Sequence, residues 1–281
     1  MVESSAEAST RSRVLVVGAT GGVGQLVVAD LLQQGYLVRA LTRSVEKGQR
    51  LFGDRIEYAS GDIRQPETLP SAMPDISYII CATGTTAFPS QRWQVELPEG
   101  TTGVGSAIAW GRLLTNAEYR QAHTRNSPHD VDAVGVANLV AAAPQDLKRF
   151  VFISSVGIDR QKQFPFSLLN AFGVLNAKQQ GEQAIQRSGL PYTIIRPGRL
   201  IDGPFTSYDL NTLLQAKTQG KRGVVIGQGD TLSGDASRID VAAACVAALH
   251  SPAVENQTFE LVNQGRRPAN LDWDNLLSSL S

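Results

Sequence analysis

Short apolar runs rich in β-branched residues alternate along this chain with longer stretches whose apolar residues recur at helical spacing. The runs predict strands at Val14–Val17, Leu37–Leu41, Ile56–Ala59, Ser77–Ala82, Phe150–Ser154, Tyr192–Arg196 and Thr258–Val262. The longer stretches predict helices at Gly22–Gln34, Val131–Ala143, Leu168–Arg187, Val241–Leu249 and Asp272–Leu280. Because this order requires parallel pairing with right-handed crossovers, the pattern predicts an α/β fold with a doubly wound parallel sheet.

A glycine-rich loop follows the first predicted strand and opens the first predicted helix. Gly18, Gly21 and Gly24 lie three residues apart, a spacing that allows a sharp turn, close approach of a phosphate and tight helix–sheet packing. Free N–H groups at the helix N-terminus would supply further donors to the phosphates. The loop predicts a dinucleotide site at Gly18, Thr20, Gly21, Gly22, Val23 and Gly24. A tight structural turn is the alternative interpretation.

The end of the second predicted strand indicates which dinucleotide is preferred. Sites for NAD usually carry a carboxylate here for the ribose 2′-hydroxyl, but this chain has Thr42 followed by Arg43. A carboxylate would repel a 2′-phosphate, whereas an arginine offers it a charge-assisted, forked contact. We therefore expect NADP as the cofactor, with NADPH preferred over NADH.

Composition narrows the classes of partner. The 281 residues carry 26 Lys+Arg against 26 Asp+Glu, so no basic excess favours nucleic acid. No apolar stretch reaches the roughly 18 residues that a membrane-spanning helix needs, so we expect that this chain is not an integral membrane protein. Two cysteines, Cys81 and Cys245, lie in apolar runs and favour buried thiols in a reducing, cytoplasmic compartment. Peripheral membrane association stays open, and no His/Cys/carboxylate spacing predicts a metal site.

Six stretches in order along the chain resemble the short-chain dehydrogenase/reductase superfamily, in its atypical, NmrA-like branch. They are VLVVGATGGVG (14–24), GDI (61–63), VFISSVG (151–157), SGLPYTIIRPG (188–198), SRIDVA (237–242) and TFELVN (258–263). The stretches at 83–93 and 196–214 are similar to a narrower cyanobacterial and plastid branch. The resemblance implies a Rossmann fold that binds a dinucleotide, and an oxidoreductase with an unknown small substrate or protein partner.

The resemblance also implies further cofactor contacts at the carboxyl ends of strands. Asp62 and Ile63 match the position that borders the adenine; Ala82, Thr83 and Gly84 match the turn beside the adenine ribose; Ser154 and Ser155 lie near the nicotinamide; and Pro197 and Gly198 touch the carboxamide. Turn and cap chemistry is the alternative for Asp62 and the serine pair.

One expected catalytic residue is missing. Family members that transfer hydride usually carry Tyr-x-x-x-Lys on the long helix, where the lysine holds the nicotinamide ribose and the tyrosine exchanges a proton. Lys178 fits the lysine position, but Val174 stands at the tyrosine position. We take Lys178 and Ser155 as the candidate catalytic residues. Other possible donors are Tyr208, Tyr119, His123 and His129, whereas an ordinary surface role is expected for the histidines, including His250.

The domain organisation follows from these assignments. Residues 1–12 are predicted to form a flexible tail, and residues 13–281 one NAD(P)-binding Rossmann domain. An insertion at about 85–130, with a helix predicted near Ala107–Tyr119, and the segments after residue 198 would form a small substrate-side lobe. Two functions remain open: a reductase with a non-standard proton donor, or a non-catalytic NADPH sensor or assembly protein, as in photosynthetic complex biogenesis.

Overall fold

Strands and helices alternate in the computed structural model largely as the apolar pattern predicts, over the residues that the structure describes: 12–90, 93–98, 100–202 and 221–280. The strands are β1 Arg13–Val17, β2 Leu37–Thr42, β3 Glu57–Ser60, β4 Ile76–Cys81, β5 Gln94–Val95, β6 Thr124–Arg125, β7 Arg149–Ile153, β8 Tyr192–Pro197, β9 Arg199–Ile201, β10 Arg222–Gly227, β11 Asp235–Ser237 and β12 Gln257–Arg266. The helices are α1 Gly22–Gln33, α2 Val45–Phe52, α3 Gly103–Thr115, α4 Ala117–Ala122, α5 Gly135–Ala142, α6 Phe166–Leu169, α7 Val174–Arg187, α8 Arg238–Ala247 and α9 Trp273–Ser278.

Eight of the strands in the described residues form one sheet, in the order β10-β12-β8-β7-β4-β1-β2-β3. All neighbours are parallel except β10, which runs antiparallel to β12 at the edge. Strand order reverses between β1 and β4, and such a switch point opens a crevice at the carboxyl ends of the strands. The predicted doubly wound α/β Rossmann fold is confirmed.

Helices cover both faces of this sheet. On one face, Val16 and Phe259 pack with Val27 of α1 and Val246 of α8. On the other face, Leu15 and Phe152 pack with Leu139 of α5 and Ile185 of α7. The central strands therefore read as continuous apolar runs, because both of their faces are buried.

The predicted helix Leu168–Arg187 is wrong at its start, because the chain breaks between α6 and α7. Gly173 takes a φ of +78°, which a helix interior does not allow. The Asn170 side chain accepts hydrogen bonds from the backbone N–H groups of Leu175 (2.9 Å) and Asn176, so it caps α7. The predicted helix at 131–143 also differs, since it opens with a π-helical turn, His129–Val134.

The insertion folds into a two-stranded ribbon and two helices. Strand β5 pairs with β6 in antiparallel fashion, and α3 and α4 lie between them in sequence. The ring of Phe172, just before α7, contacts the rings of Phe88, Trp93 and Trp110 at centroid distances of 5.6–6.4 Å. This aromatic cluster holds the insertion against the Rossmann core.

The segments after residue 198 contain strands that the apolar pattern did not predict. β9 and β11 form a short parallel pair, and β10 extends the main sheet. Tyr208 lies outside the described residues, as do residues 1–11 of the predicted tail. Ser12, at the end of that tail, is buried, and its carbonyl accepts the Leu37 N–H. A search of the described helices finds none with the length and apolar character needed to cross a bilayer.

Candidate functional site

A cleft of about 490 Å³ opens at the carboxyl ends of β1, β2, β3 and β4, where the strand order reverses. Of the predicted cofactor residues, those that line it are Gly18, Thr20, Gly21, Thr42, Arg43, Asp62, Ile63, Ala82, Thr83 and Gly84. Among the described residues, the lining does not include Gly22, Val23, Gly24, Ser154, Ser155, Lys178, Pro197 and Gly198. The open part of the site is thus the half that holds an adenosine and a pyrophosphate in folds of this type.

The glycine loop is shaped by steric limits that only glycine satisfies. Gly18 has a φ of +84°, and a Cβ there would stand 2.9 Å from the backbone of Ala82 and Thr83. A Cβ on Gly24 would stand 2.1 Å from the Gly18 carbonyl oxygen, so α1 packs directly on the loop. Gly21 precedes α1 at the N-cap position and offers no side-chain cap, and the first turn holds no acidic residue. The N–H groups of that turn are therefore available to an anion.

Arg43 reaches the cleft from the end of β2. Its side chain is exposed, and none of the ion pairs among the described residues involves it. Thr42 is buried, and its hydroxyl accepts the Ser44 N–H at 3.1 Å, so the turn itself is fixed. Lys47, in the first turn of α2, also lines the cleft. This corner therefore presents positive charge without an acidic residue at the position that NAD sites use.

Asp62 pairs with a neighbouring arginine that the sequence analysis did not select. Arg64 Nε donates to both carboxylate oxygens of Asp62, at 2.9 and 3.1 Å, and Arg64 also bonds the Asn126 side chain. Burial alone would raise the pKa of Asp62, but the hydrogen bonds from Arg64 hold it below its usual value. Both Arg64 and Asn126 line the cleft, so the end of the insertion is tied to the β3 edge.

Of the residues expected near the nicotinamide, Ser154, Pro197 and Gly198 are buried and Ser155 is half-buried, and none of them lines this cleft. Ser154 Oγ is buried and has no hydrogen-bond partner. Ser155 Oγ donates to the Val156 carbonyl at 3.0 Å. Pro197 is buried, and a Cβ on Gly198 would stand 2.4 Å from the Gly234 carbonyl oxygen. Among these four residues, therefore, only Ser154 has a side-chain polar atom without a hydrogen bond within the protein.

Lys178 lies in a buried polar network. Its Nζ donates to Asp132 Oδ1 at 3.0 Å and to the Ile153 carbonyl at 3.3 Å. The other carboxylate oxygen of Asp132 accepts from the Thr85 N–H at 3.1 Å and from the Thr85 hydroxyl at 2.5 Å. A Cβ on Gly84 would stand 3.4 Å from the ammonium, so the charge lies directly behind the cleft wall. Thr85 begins the insertion and Asp132 follows it, so the two ends of the insertion meet at the carboxylate that pairs with this lysine.

Val174 fills the tyrosine position with a packed apolar side chain. It belongs to a small core cluster with Val156, Ile158, Phe166 and Leu175. This cluster carries no group that can exchange a proton. Val174 is therefore a core residue, and it offers no proton donor at the position where the family usually carries a tyrosine.

The other candidate donors lie elsewhere in the fold. Tyr119 stacks on His123 with ring centroids 4.0 Å apart, and it lines a separate surface depression beside α3. His129 lines a small cavity between the insertion and α7. The ring nitrogens of His250 hydrogen-bond the hydroxyls of Tyr36 and Tyr78. This histidine therefore has a structural role beyond the ordinary surface role that the sequence predicts. None of these residues lines the described part of the cleft.

These features fit a dinucleotide. The uncapped N-terminus of α1 suits a pyrophosphate, and the exposed guanidinium of Arg43 suits a 2′-phosphate. Ser154, whose hydroxyl has no hydrogen-bond partner, and Lys178 do not line this cleft, and their contact with a nicotinamide riboside stays a prediction. When bound, the cofactor would supply the hydride chemistry, and the chain supplies binding and orientation.

Sequence reasoning missed the residues that support this site from a distance. Arg64 follows Asp62 by two positions, and this short spacing between a cation and an acid could have predicted their ion pair. Asp132 gave no comparable signal, because it is 46 positions from Lys178 and separated from it by β7. Only the fold brings the two charges together.

Known proteins resemble this chain over most of its length. It is 30% identical to sanguinarine reductase of Eschscholzia californica, over 98% of each chain. It is 25% identical to the photosystem II assembly factor Ycf39 of Trieres chinensis, over 89% of this chain and 64% of that protein. Relatives thus include both a reductase and an assembly factor.

Solved structures share the fold. The oxidoreductase ylbE of Lactococcus lactis superposes with a TM-score of 0.63 at 21% identity, covering 95% of this chain and 96% of that one. A short-chain dehydrogenase/reductase of Veillonella parvula in complex with NADP gives a TM-score of 0.57 at 15% identity, covering 92% and 99%. A family model described as NAD(P)H-binding matches residues 18–252. This chain therefore belongs to the NAD(P)H-binding, atypical short-chain dehydrogenase/reductase family.

Proposed function

We propose that the chain binds NADP(H) in the cleft, with the pyrophosphate at the N-terminus of α1 and the 2′-phosphate at Arg43. The observation that carries this proposal is an exposed arginine, free of ion pairs with the described residues, at the position where NAD sites place a carboxylate. Lys47 in the same lining adds positive charge beside it. The supporting relative is the Veillonella protein, which binds NADP.

NADPH is expected to bind more tightly than NADH, and Arg43→Ala should remove most of that difference. A charge-assisted contact of this kind contributes roughly 1.5–3 kcal/mol, which corresponds to about tenfold or more in affinity. Calorimetric titration of both nucleotides measures the effect. Arg50→Ala, an exposed arginine in the last turn of α2, is the matched control and should keep the preference. Equal affinities for the two nucleotides in the unmutated protein would refute the assignment.

The activity that we propose is NADPH-dependent reduction of a small, partly apolar substrate. Sanguinarine reductase, which matches this chain over almost its entire length, supports a reductase. In this proposal Lys178, which lies behind the cleft wall at Gly84, would hold the nicotinamide ribose, and Ser155, which follows the unpartnered Ser154, would be the candidate donor. Since Val174 cannot donate a proton, a bound water would have to protonate the product, or Ser155 would have to give up its hydrogen bond to the Val156 carbonyl and recover its proton from solvent.

A non-catalytic role is the second candidate, and the packing of Val174 favours it. An enzyme of this family without its usual acid should lose about a hundredfold to ten-thousandfold in rate. The same chain would still bind NADPH and report its occupancy to a protein partner. The similarity to an assembly factor supports this alternative.

NADPH oxidation in the presence of carbonyl and enone substrates separates the two functions. For a reductase, we expect turnover by the unmutated protein, and Lys178→Ala and Ser155→Ala should reduce kcat by more than their loss of NADPH affinity explains. Lys162→Ala, an exposed lysine away from the cleft, is the control and should be unaffected. Tight NADPH binding without turnover on any substrate would favour the sensor instead.

The cellular setting is also a proposal. Both free cysteines, Cys81 and Cys245, are buried, and burial raises the pKa of each thiol. Inert, unpaired thiols of this kind fit the reducing conditions of a cytoplasm. We propose no nucleic-acid partner, because the chain has no net positive charge.

A further inference from the structure

A second, smaller cavity of about 80 Å³ lies at the seam between the insertion and α7. Trp93, Phe172 and Ala177 are buried apolar members of its lining. The amides of Gln121, Asn176 and Gln180 stand at its exposed mouth. The cavity shares none of its described lining residues with the cofactor cleft.

Arg120 is the one arginine in this lining, as far as the described residues show. Its Nη1 donates to the carbonyls of Leu113 (2.8 Å) and Leu114 (3.4 Å), which fixes the guanidinium at the end of α3. No carboxylate among the described residues pairs with it, and burial lowers its pKa without an opposing acidic group. A half-buried cation with no counter-charge is costly, unless an anion joins it.

The other groups that line the cavity with Arg120 are neutral or basic. A Cβ on Gly173 would stand 3.3 Å from Arg120 Nη2, so the guanidinium lies over the N-terminus of α7. That helix has no acidic side chain in its first turn, but its Leu175 and Asn176 N–H groups already bond the Asn170 side chain, so the guanidinium is the group that an anion would meet. His129 adds a ring from the π-helical turn. Asp130, the next residue, instead accepts the Ser127 N–H at 3.0 Å, and no acidic residue is found among the described lining residues.

We propose that this cavity is a binding site for a short aliphatic carboxylate. The guanidinium of Arg120 offers the forked, charge-assisted contact that a carboxylate accepts, and the aromatic wall suits a short apolar chain. Size sets the limit: a cavity of about 150 Å³ holds benzene, so 80 Å³ suits a ligand of about two to four carbons. An aliphatic chain would also contact the Phe172 ring in the lining, a contact that an inorganic oxyanion would not make.

A ligand here would join two parts of the molecule. Arg120 belongs to the insertion, whereas Phe172, Gly173 and Ala177 belong to the Rossmann core. Ala177 directly precedes Lys178, and His129 lies three residues before Asp132. The bound carboxylate would therefore stabilise the insertion against the helix that carries Lys178.

Titration of the full chain with butyrate, propionate and inorganic phosphate, followed by ligand-observed NMR at constant ionic strength, tests the proposal. We expect saturable butyrate binding with a Kd of about 1 mM or tighter, and weaker phosphate binding. Arg120→Gln should weaken butyrate at least about tenfold, because the charge-assisted contact is lost. Arg112→Gln, an exposed arginine of α3 outside the cavity, is the matched control and should bind as the parent does.

A second variant guards against a folding defect in Arg120→Gln. Gln180→Glu changes an exposed residue at the mouth and leaves the contacts of Arg120 with α3 intact, so it should fold and weaken butyrate by repulsion. Absence of saturation with every anion overturns the proposal. Equal butyrate affinity in the parent and Gln180→Glu also overturns it, and tighter binding of phosphate than of butyrate overturns the assignment to a carboxylate.

Discussion

Replacing Asp132 with alanine is expected to lower the free energy of unfolding by about 3–5 kcal/mol, because it leaves a buried ammonium without its counter-charge. Asp132 is fully buried and Lys178 is 7% exposed, so water cannot replace the missing carboxylate. The variant also deprives the Thr85 N–H and hydroxyl of their shared acceptor. Urea unfolding, monitored by circular dichroism, measures the change.

A double variant tests whether the lost stability comes from the unpaired charge of Lys178 or from the lost side-chain volume. Replacing a buried pair by apolar groups of similar volume is often neutral, so Asp132→Ala with Lys178→Met should recover most of the lost stability. If Asp132→Ala alone changes stability by less than about 0.5 kcal/mol, the pair does not hold the two ends of the insertion together.

The buried pair also bears on function. Asp132 lies on the π-helical turn that follows the insertion, and Thr85 begins the insertion on its other side. A change in the environment of Lys178 would therefore alter the contacts at both ends of the insertion. This connection gives the sensor hypothesis a physical basis, and a reductase would use the same contacts to keep Lys178 in place.

The Rossmann skeleton could be predicted because its signals are local. Strands β1, β4 and β7 are apolar runs buried on both faces, and the glycine loop has a fixed place after β1. The lining at Gly18, Arg43 and Asp62 follows from that skeleton, since each stands at the carboxyl end of a strand.

The remaining features depend on contacts that a sequence pattern does not carry. The break before α7 arises from the Asn170 side chain and the positive φ of Gly173, inside a stretch of apparent helical spacing. The edge strand β10 has one neighbour, β12, and its short apolar core gave no clear signal. The Arg120 cavity joins residues from two segments about 50 positions apart, which only the packing of Phe172 against the insertion brings together.

Gly24→Ala is expected to abolish NADPH binding and to destabilise the fold by about 1–3 kcal/mol. The added methyl would stand 2.1 Å from the Gly18 carbonyl oxygen, so α1 must move away from the loop that it completes. Backbone atoms form this contact, and no side-chain rotation can relieve it. Nucleotide titration and urea unfolding of the same preparation measure both effects.

Two other glycines supply the controls for that variant. Gly111→Ala places a methyl in an exposed helix where nothing lies within 4 Å, so it should raise stability by about 0.5–1 kcal/mol and leave NADPH binding unchanged. At Gly21 the methyl would stand 3.2 Å from the Gly18 oxygen, a contact that a small shift relieves, yet it would project where a pyrophosphate must approach. Gly21→Ala should therefore fold normally and still lose NADPH affinity. Parent-like affinity in both Gly21→Ala and Gly24→Ala would show that the nucleotide does not bind at this loop.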